Sequence, residues 1–395
     1  MKKIKYIFMT LALATLLLPS GSFAASPIGT SLPQPTGATK LVTTADGLNS
    51  VSFQQTGTPV FASNAPETIW NGPRSADGKV MNQVNKTLYR DNMTGNFRFW
   101  SVHSNMTNSS VNFYMHVKNP SATSAVKLYI KRKGYAVSHA AAAAATATQQ
   151  FMSQDGVNAG TLLATIPAGG TYVYQYASSV AHERTMDFVA DFRAVSVATD
   201  GDAMVVISNI VTNNGTTNIE NIAIQNVVET NHGYKNSNDD YRGVLQYSGR
   251  VVNLKINLTP SNYKKFIKIA DGKPEAYLNE QEPLKTRWTV GGTPLTAPTV
   301  VAYNGKERGA YWLTDLTYNI NITNSSGYST VSTYYGAAPN LKPAGFINYK
   351  IGSLTQYKYE SGQAIVINNN LNYTLKTVVQ PSLTLPLGLY FVATN

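Results

Sequence analysis

Residues 111–118 read Val-Asn-Phe-Tyr-Met-His-Val-Lys, so Val111, Phe113, Met115 and Val117 alternate with Asn112, Tyr114, His116 and Lys118. A period of two sends successive side chains to opposite faces of an extended chain, and it cannot form the stripe that a helix needs. The pattern returns at Val126, Leu128 and Ile130, at Val252, Leu254, Ile256 and Leu258, and at Leu316, Tyr318, Ile320 and Ile322. Asn119-Pro120-Ser121-Ala122-Thr123 separates the first two runs with turn residues, which predicts a hairpin with one wet face. On that reading His116 lies on the solvated side. Further strands are expected at Tyr172–Tyr176, after the turn Ile166-Pro167-Ala168-Gly169-Gly170, and at Met186–Phe192, Met204–Val211, Ile219–Val228 and Leu387–Asn395.

One segment breaks the pattern. Ser138 can cap a helix that runs through His139 and the six alanines at 140–145 to Met152. Alanine has the highest helix propensity but little apolar surface, so this helix is expected on a sandwich rather than inside one. The fold class is therefore all-β: two antiparallel β-sandwich-like domains with one short Ala-rich helix. Residues 25–80 form a Thr/Ser/Pro-rich lead-in, with order expected near Val51–Phe53 and Pro59–Phe61. Residues 81–230 and 231–395 are the two sandwich domains, divided by the polar loop Thr230–Arg242. The Asn112–Pro120 strand and turn have a faint echo at Tyr318–Asn324, which either duplication or a convergent hairpin grammar explains.

The first 24 residues have the three parts of a secretory leader. Lys2, Lys3 and Lys5 precede an apolar run from Tyr6 to Leu18, and Ser22-Phe23-Ala24 offers small residues for cleavage before Ala25. The run is too short for a stable membrane span, and no other stretch is long and apolar enough to form one as a helix. Localisation is expected to be secreted or extracellular, with wall association. The chain has no cysteine, which excludes disulfides and a lipid-modified N-terminal cysteine; a chain of this length can bury enough apolar surface without such staples.

Net charge is +11, and without the leader lysines 29 basic side chains stand against 21 acidic ones. A basic exported surface is drawn to anionic wall polymers or acidic polysaccharide, whereas nucleic acid is a poor partner outside the cell and no motif reads it. Lys131-Arg132-Lys133 stands just before the alanine helix, where cations beside a helix N-terminus would favour anions. Lys264, Lys265 and Lys268 form a second basic cluster. The 24 tyrosines include Tyr172, Tyr174 and Tyr176, which can stack on sugars or fill cross-strand pairs.

Thr87-Leu88-Tyr89-Arg90-Asp91, followed by Gly95-Asn96-Phe97-Arg98-Phe99-Trp100-Ser101-Val102-His103-Ser104-Asn105-Met106, resembles the opening of a family of uncharacterised secreted proteins of Gram-positive spore-formers. The likeness runs on through Val111–Asn119 and Ile166–Gly169 and returns at Gly309-Ala310-Tyr311-Trp312. Many of these proteins are labelled as containing a copper amine oxidase N-terminal (stalk) domain, which is not found here. The resemblance implies a secreted envelope protein and supplies no catalytic residues.

Copper amine oxidation would need an Asn-Tyr-Asp/Glu tyrosine and converging imidazoles. The Asn-Tyr pairs here are followed by Lys264, Lys350 and Thr374, and no His-x-His occurs. His103, His116, His139, His182 and His232 stand singly; His182-Glu183 begins a zinc-protease motif, but Met186 occupies the second histidine position. There is no Gly-x-Ser-x-Gly elbow. Asp187, Asp191, Glu220 and Glu229 are possible members of a carboxylate pair for glycoside hydrolysis, although a wet strand face accounts for them equally well. Asn236, Asn238, Asp239 and Asp240 crowd one loop as candidate ligands for a structural calcium, and Asp200 and Asp202 another. No catalytic residue or other cofactor is assigned. The sequence points to a non-catalytic envelope or extracellular protein, structural or binding; a carbohydrate-binding adhesin and a polysaccharide hydrolase are the alternatives. Convergence of Arg98, His103, Asp187, Asp191 and Glu220 would favour the hydrolase.

Overall fold

A computed structural model describes residues 25–33, 35, 39–40, 51–74, 78–154, 160–213, 218–225, 227–228, 242–245, 247–270, 287–290, 293–296, 314–337, 345–359, 363–380 and 387–395. The leader 1–24, the calcium candidates Asn236, Asn238, Asp239 and Asp240, Glu229, His232 and Gly309–Trp312 lie outside the described residues.

In chain order the main elements are β1 (Ser31–Pro33), β2 (Val51–Thr56), β3 (Val60–Ser63), β4 (Lys86–Thr94), β5 (Asn96–Asn105), β6 (Val111–Lys118) and β7 (Val126–Ser138). Helix α1 (Ala140–Ser153) precedes β8 (Thr161–Ile166), β9 (Thr171–Val180), β10 (Arg184–Ser196) and β11 (Met204–Asn213). Helix α2 (Ile219–Ala223) leads to β12 (Arg242–Leu245), β13 (Gly249–Leu258), β14 (Lys264–Ala270), β15 (Asp315–Asn324) and β16 (Thr330–Ala337). The chain ends with β17 (Gly345–Ile351), β18 (Ser353–Tyr359), β19 (Gln363–Asn368), β20 (Asn372–Val378) and β21 (Leu387–Thr394).

The all-β expectation holds. The first sandwich faces the sheet β8-β7-β10-β5-β3-β12 against the sheet β9-β6-β11-β4. Phe61, Phe97, Phe99, Leu128 and Phe188 of one sheet meet Leu88, Phe113, Met115, Val117 and Ile207 of the other in one buried core. The second faces β1-β19-β16-β21-β14 against β18-β17-β20-β15-β13-β2. Its core joins Leu254, Ile256, Tyr318, Ile320 and Leu375 to Tyr335, Ile365, Leu389 and Phe391. The sheets are not purely antiparallel: β13 and β15 run parallel over ten register pairs, and β3 runs parallel to β5.

The alternating runs do bury their apolar faces, but the first two do not form a hairpin. β6 belongs to the smaller sheet of the first sandwich and β7 to the larger. Residues 119–125 carry the chain across the core, so Phe113 and Met115 face Leu128 from the opposite sheet. Buried Asn119 holds this crossover: its Nδ2 donates to the carbonyls of Ser124, Ile166 and Pro167, and its Oδ1 accepts from the Ser121 amide. Asn324 and Asn105 end their strands with the same i to i+2 acceptance, from Ser326 and Thr107. Short polar side chains that close their own turns give these three positions a common grammar.

Two further expectations change. Residues 219–223 form a helix capped by Asn218, whose side chain accepts from the Asn221 amide, rather than the start of a strand. That helix covers the outer face of β6, so His116 is buried rather than solvated, with Nε2 2.7 Å from Glu220. The lead-in is not a separate unit either. β1 and β2 pair with β19 and β13 in the second sandwich, while β3 pairs with β5 in the first. β12, which follows the expected boundary at 230, also returns to the first sandwich beside β3.

Candidate functional site at the sandwich junction

β5 has two working faces. Phe97, Phe99, Ser101 and His103 point into the first core, and Arg98, Trp100 and Val102 point the other way, toward α1 and the second sandwich. Val60, Ala62, Trp100, Val102 and Val189 share one apolar cluster with Phe151 and Met152 of α1 and with the second core. The junction is therefore continuous hydrophobic interior, and the distinctive Gly95–Met106 segment supplies its floor.

Helix α1 lies on the outer face of the first sandwich, as expected, but the second sandwich closes over it, so one side of the helix faces the junction. Ala143, Ala144, Ala145, Ala147, Thr148, Phe151 and Met152 are buried, because small side chains let the helix enter a gap that leucines would overfill. On one side the Ala147 carbonyl sits against Gly134 of β7. On the other, Asn348 and Gln356 of β17 and β18 donate to the Ala145 carbonyl. The N-cap is His139, without a side-chain cap; Ser138 remains in β7.

The helix folds back along β7. Gln154 Oε1 accepts from the Lys133 amide, and Gln150 Oε1 from that of Tyr135. Lys131, Arg132 and Lys133 consequently lie beside the C-terminal end of α1, where the dipole favours cations, and not beside its N-terminus as expected. The side chains diverge. Lys131 donates to Asn96 Oδ1 at 2.7 Å, Lys133 is exposed, and Arg132 turns into the junction.

There Arg132 and Arg98 clasp the same two carboxylates. Arg98 meets Asp191 at 2.7 Å and Asp315 at 2.8 Å; Arg132 meets them at 2.6 and 2.5 Å. Arg98 also donates to the Ser248 carbonyl, and both guanidiniums lie over the Phe151 ring, 4.7 and 3.9 Å from its centroid. Burial by itself would raise the Asp191 pKa, but the two arginines hold it below the ordinary carboxylate value. Arg98, Arg132 and Asp191 belong to the first sandwich and Asp315 to the second, so the quartet bridges them.

Above the quartet opens a cavity of about 500 Å³. Lys131, Arg132, Lys350 and Lys376 line it, against the two carboxylates Asp191 and Asp315.

The remaining candidates do not converge on it. His103 is in the first core, donating from Nδ1 to the Pro66 carbonyl at 2.7 Å, with Nε2 facing Asn209 and Ser63. Burial pushes its pKa down to about 4, so it is neutral. Glu220 is on the outside of the opposite sheet with His116 and Thr171. Asp187 is fully buried on the junction face of β10, beside the Trp100 indole of β5. His139 contacts Arg184, and His182 contacts the Thr107 carbonyl. Among the described residues no three His, Cys, Asp or Glu side chains are grouped to hold a metal, and Asp202 instead packs against Gly95. No described helix is long and apolar enough to cross a membrane.

Sequence reasoning named Arg98, Arg132 and Asp191 separately but missed Asp315, Lys350 and Lys376. Asp315 stands at the head of a strongly alternating strand, yet its partners are 183 and 217 positions away.

No protein-family model matches the chain, and no curated protein matches it. Among solved structures it is similar to the PBSX exported protein XepA at 9% identity and a TM-score of 0.17, over 82% of this chain and 92% of that one.

Proposed function

We propose that this chain is an exported, non-catalytic protein of the cell envelope or exterior, a structural or binding body that associates with anionic wall polymers. The observation that carries the reading is the arginine quartet. The two carboxylates of the junction cavity are each engaged by two guanidiniums, and a hydrolase would need such groups to exchange protons with a substrate. Their commitment to the framework supports a rigid surface over a reaction centre. The leader-like first 24 residues and the basic balance support an exported location facing polyanions.

Cell fractionation tests this directly. The protein should be recovered with the wall fraction and be released by molar salt, as expected of electrostatic attachment. Recovery from the cytosol, or turnover of wall polysaccharide by the purified chain, contradicts it.

A further inference from the structure

We propose that the outer face of β7, β8 and β10 binds a carboxylated polysaccharide, with Tyr129 as its stacking platform and Arg193 and Lys127 as its cations. This rests on the envelope-binding reading and names the polymer class and the place of contact. Leu128, Ile130, Phe192 and Ala194 point into the first core, so Tyr129 and Arg193 between them point out. Register sets Tyr129 of β7 between Leu162 of β8 and Arg193 of β10, and sets Lys127 beside Thr165 in the next row. Side chains at paired positions stand about 5 Å apart, so the two rows form one patch.

Arg193 follows Asp191 by two residues on β10 and shares its face. The two charges are met differently. Asp191 is engaged by Arg98 and Arg132, whereas among the described residues neither Arg193 nor Lys127 has a polar partner. Arg193 is half-buried, and its Nε is shielded from solvent without an acceptor. A shielded donor on a charged group is costly when unmatched, and an anion laid against the guanidinium offsets that cost.

The rest of the patch selects the kind of anion. Leu162 is 48% exposed beside the half-buried Tyr129. Gly160 leaves the flank of that tyrosine clear: a Cβ there would stand 3.2 Å from Tyr129 Cβ. A planar guanidinium meets a carboxylate through two parallel hydrogen bonds, and an aromatic ring bordered by a leucine suits the C–H face of a sugar. A ring-free phosphodiester chain would leave the tyrosine unused.

Titration calorimetry of the full chain with polygalacturonate tests the site, with dextran as a neutral sugar polymer and polyphosphate as a ring-free polyanion. Polygalacturonate should bind saturably, and dextran and polyphosphate at least tenfold more weakly. Tyr129→Ala and Arg193→Gln should each weaken polygalacturonate about tenfold at unchanged Tm, and Lys255→Gln, at an exposed position on the second sandwich, should not.

Absence of saturable binding, equal affinity for polyphosphate, or equal binding by Tyr129→Ala and Arg193→Gln overturns the site. If Arg193→Gln lowers Tm, Lys127→Gln decides, and binding unchanged in it also overturns the site. Retention on purified walls, measured alongside, separates the two claims. A protein that holds walls but ignores polygalacturonate loses the site and keeps the envelope reading; one that binds polygalacturonate but ignores walls keeps the site and loses that reading.

Discussion

Arg98 and Asp315 are 217 residues apart in the chain and 2.8 Å apart in the structure, joining the central strand of one sandwich to the leading residue of a strand in the other. Arg98 is 1% exposed, and Asp191 and Asp315 outweigh the cost of burying its charge. Such a group stabilises only while its partners remain.

Arg98→Ala should therefore cost about 3–5 kcal/mol, since it strips charge from the quartet and packing from Phe151. Asp315→Asn should cost less, because Asp315 is 35% exposed and Asp191 still pairs with both arginines. Denaturant unfolding measures both, and an Arg98→Ala loss near zero would show that the quartet is ornamental.

Gly134 provides a second contact at the junction. A Cβ on it would stand 1.8 Å from the Ala147 carbonyl oxygen. Because the obstacle is helix backbone, no side-chain rotation relieves it. Gly134→Ala should lower stability by about 3 kcal/mol or more, and adding Ala147→Gly should not rescue it. Thermal melts of the single and double variants decide the point.

The pH dependence of stability should carry opposing contributions from Asp187 and His103. Burial raises the Asp187 pKa from 3.8 to about 7, with Trp100 offsetting part of the shift. The folded state then binds a proton that the unfolded state releases, so this penalty grows as pH rises from 4 to 7. His103, lowered from 6.5 to about 4, excludes a proton that the unfolded state takes up, so its penalty grows as pH falls through the same lower window. Relative to the wild type, Asp187→Asn should gain about 2–3 kcal/mol between pH 5 and pH 8. A difference between the two proteins that is flat with pH would contradict an ionisable Asp187 in that site.

Domain dissection should follow the strand pairing. Phe61 of β3 is fully buried, stacked on Phe99 at 5.1 Å and tilted against Tyr89 at 4.6 Å. A fragment of residues 81–230 lacks β3 and β12 and should show no cooperative unfolding, whereas residues 57–246 should. Phe61→Ala in the full chain should cost about 3–5 kcal/mol. Circular dichroism melts of the two fragments provide the check.

The sequence made faces legible and left partners hidden. Val252 to Leu258 and Leu316 to Ile322 announce their buried sides by alternation, and the structure buries those sides. The same alternation cannot say whether two successive runs pair or cross, because β6 and β7 bury their apolar faces either way. The alanine run was readable as a helix, but its place at the junction depends on Gly134 and on the gap between bodies, neither of which is a local property. His116 and Asp191 looked like wet-face residues because the groups that cover them are distant in the chain, α2 for His116 and Arg98 and Arg132 for Asp191.

Differential scanning calorimetry of the wild type beside an Arg98→Met/Arg132→Met variant tests most directly that the junction makes two sandwiches into one body. The wild type should unfold in one transition, with calorimetric and van't Hoff enthalpies equal, and the variant should resolve into two. Two independent transitions in the wild type, or a single undivided one in the variant, would contradict the account.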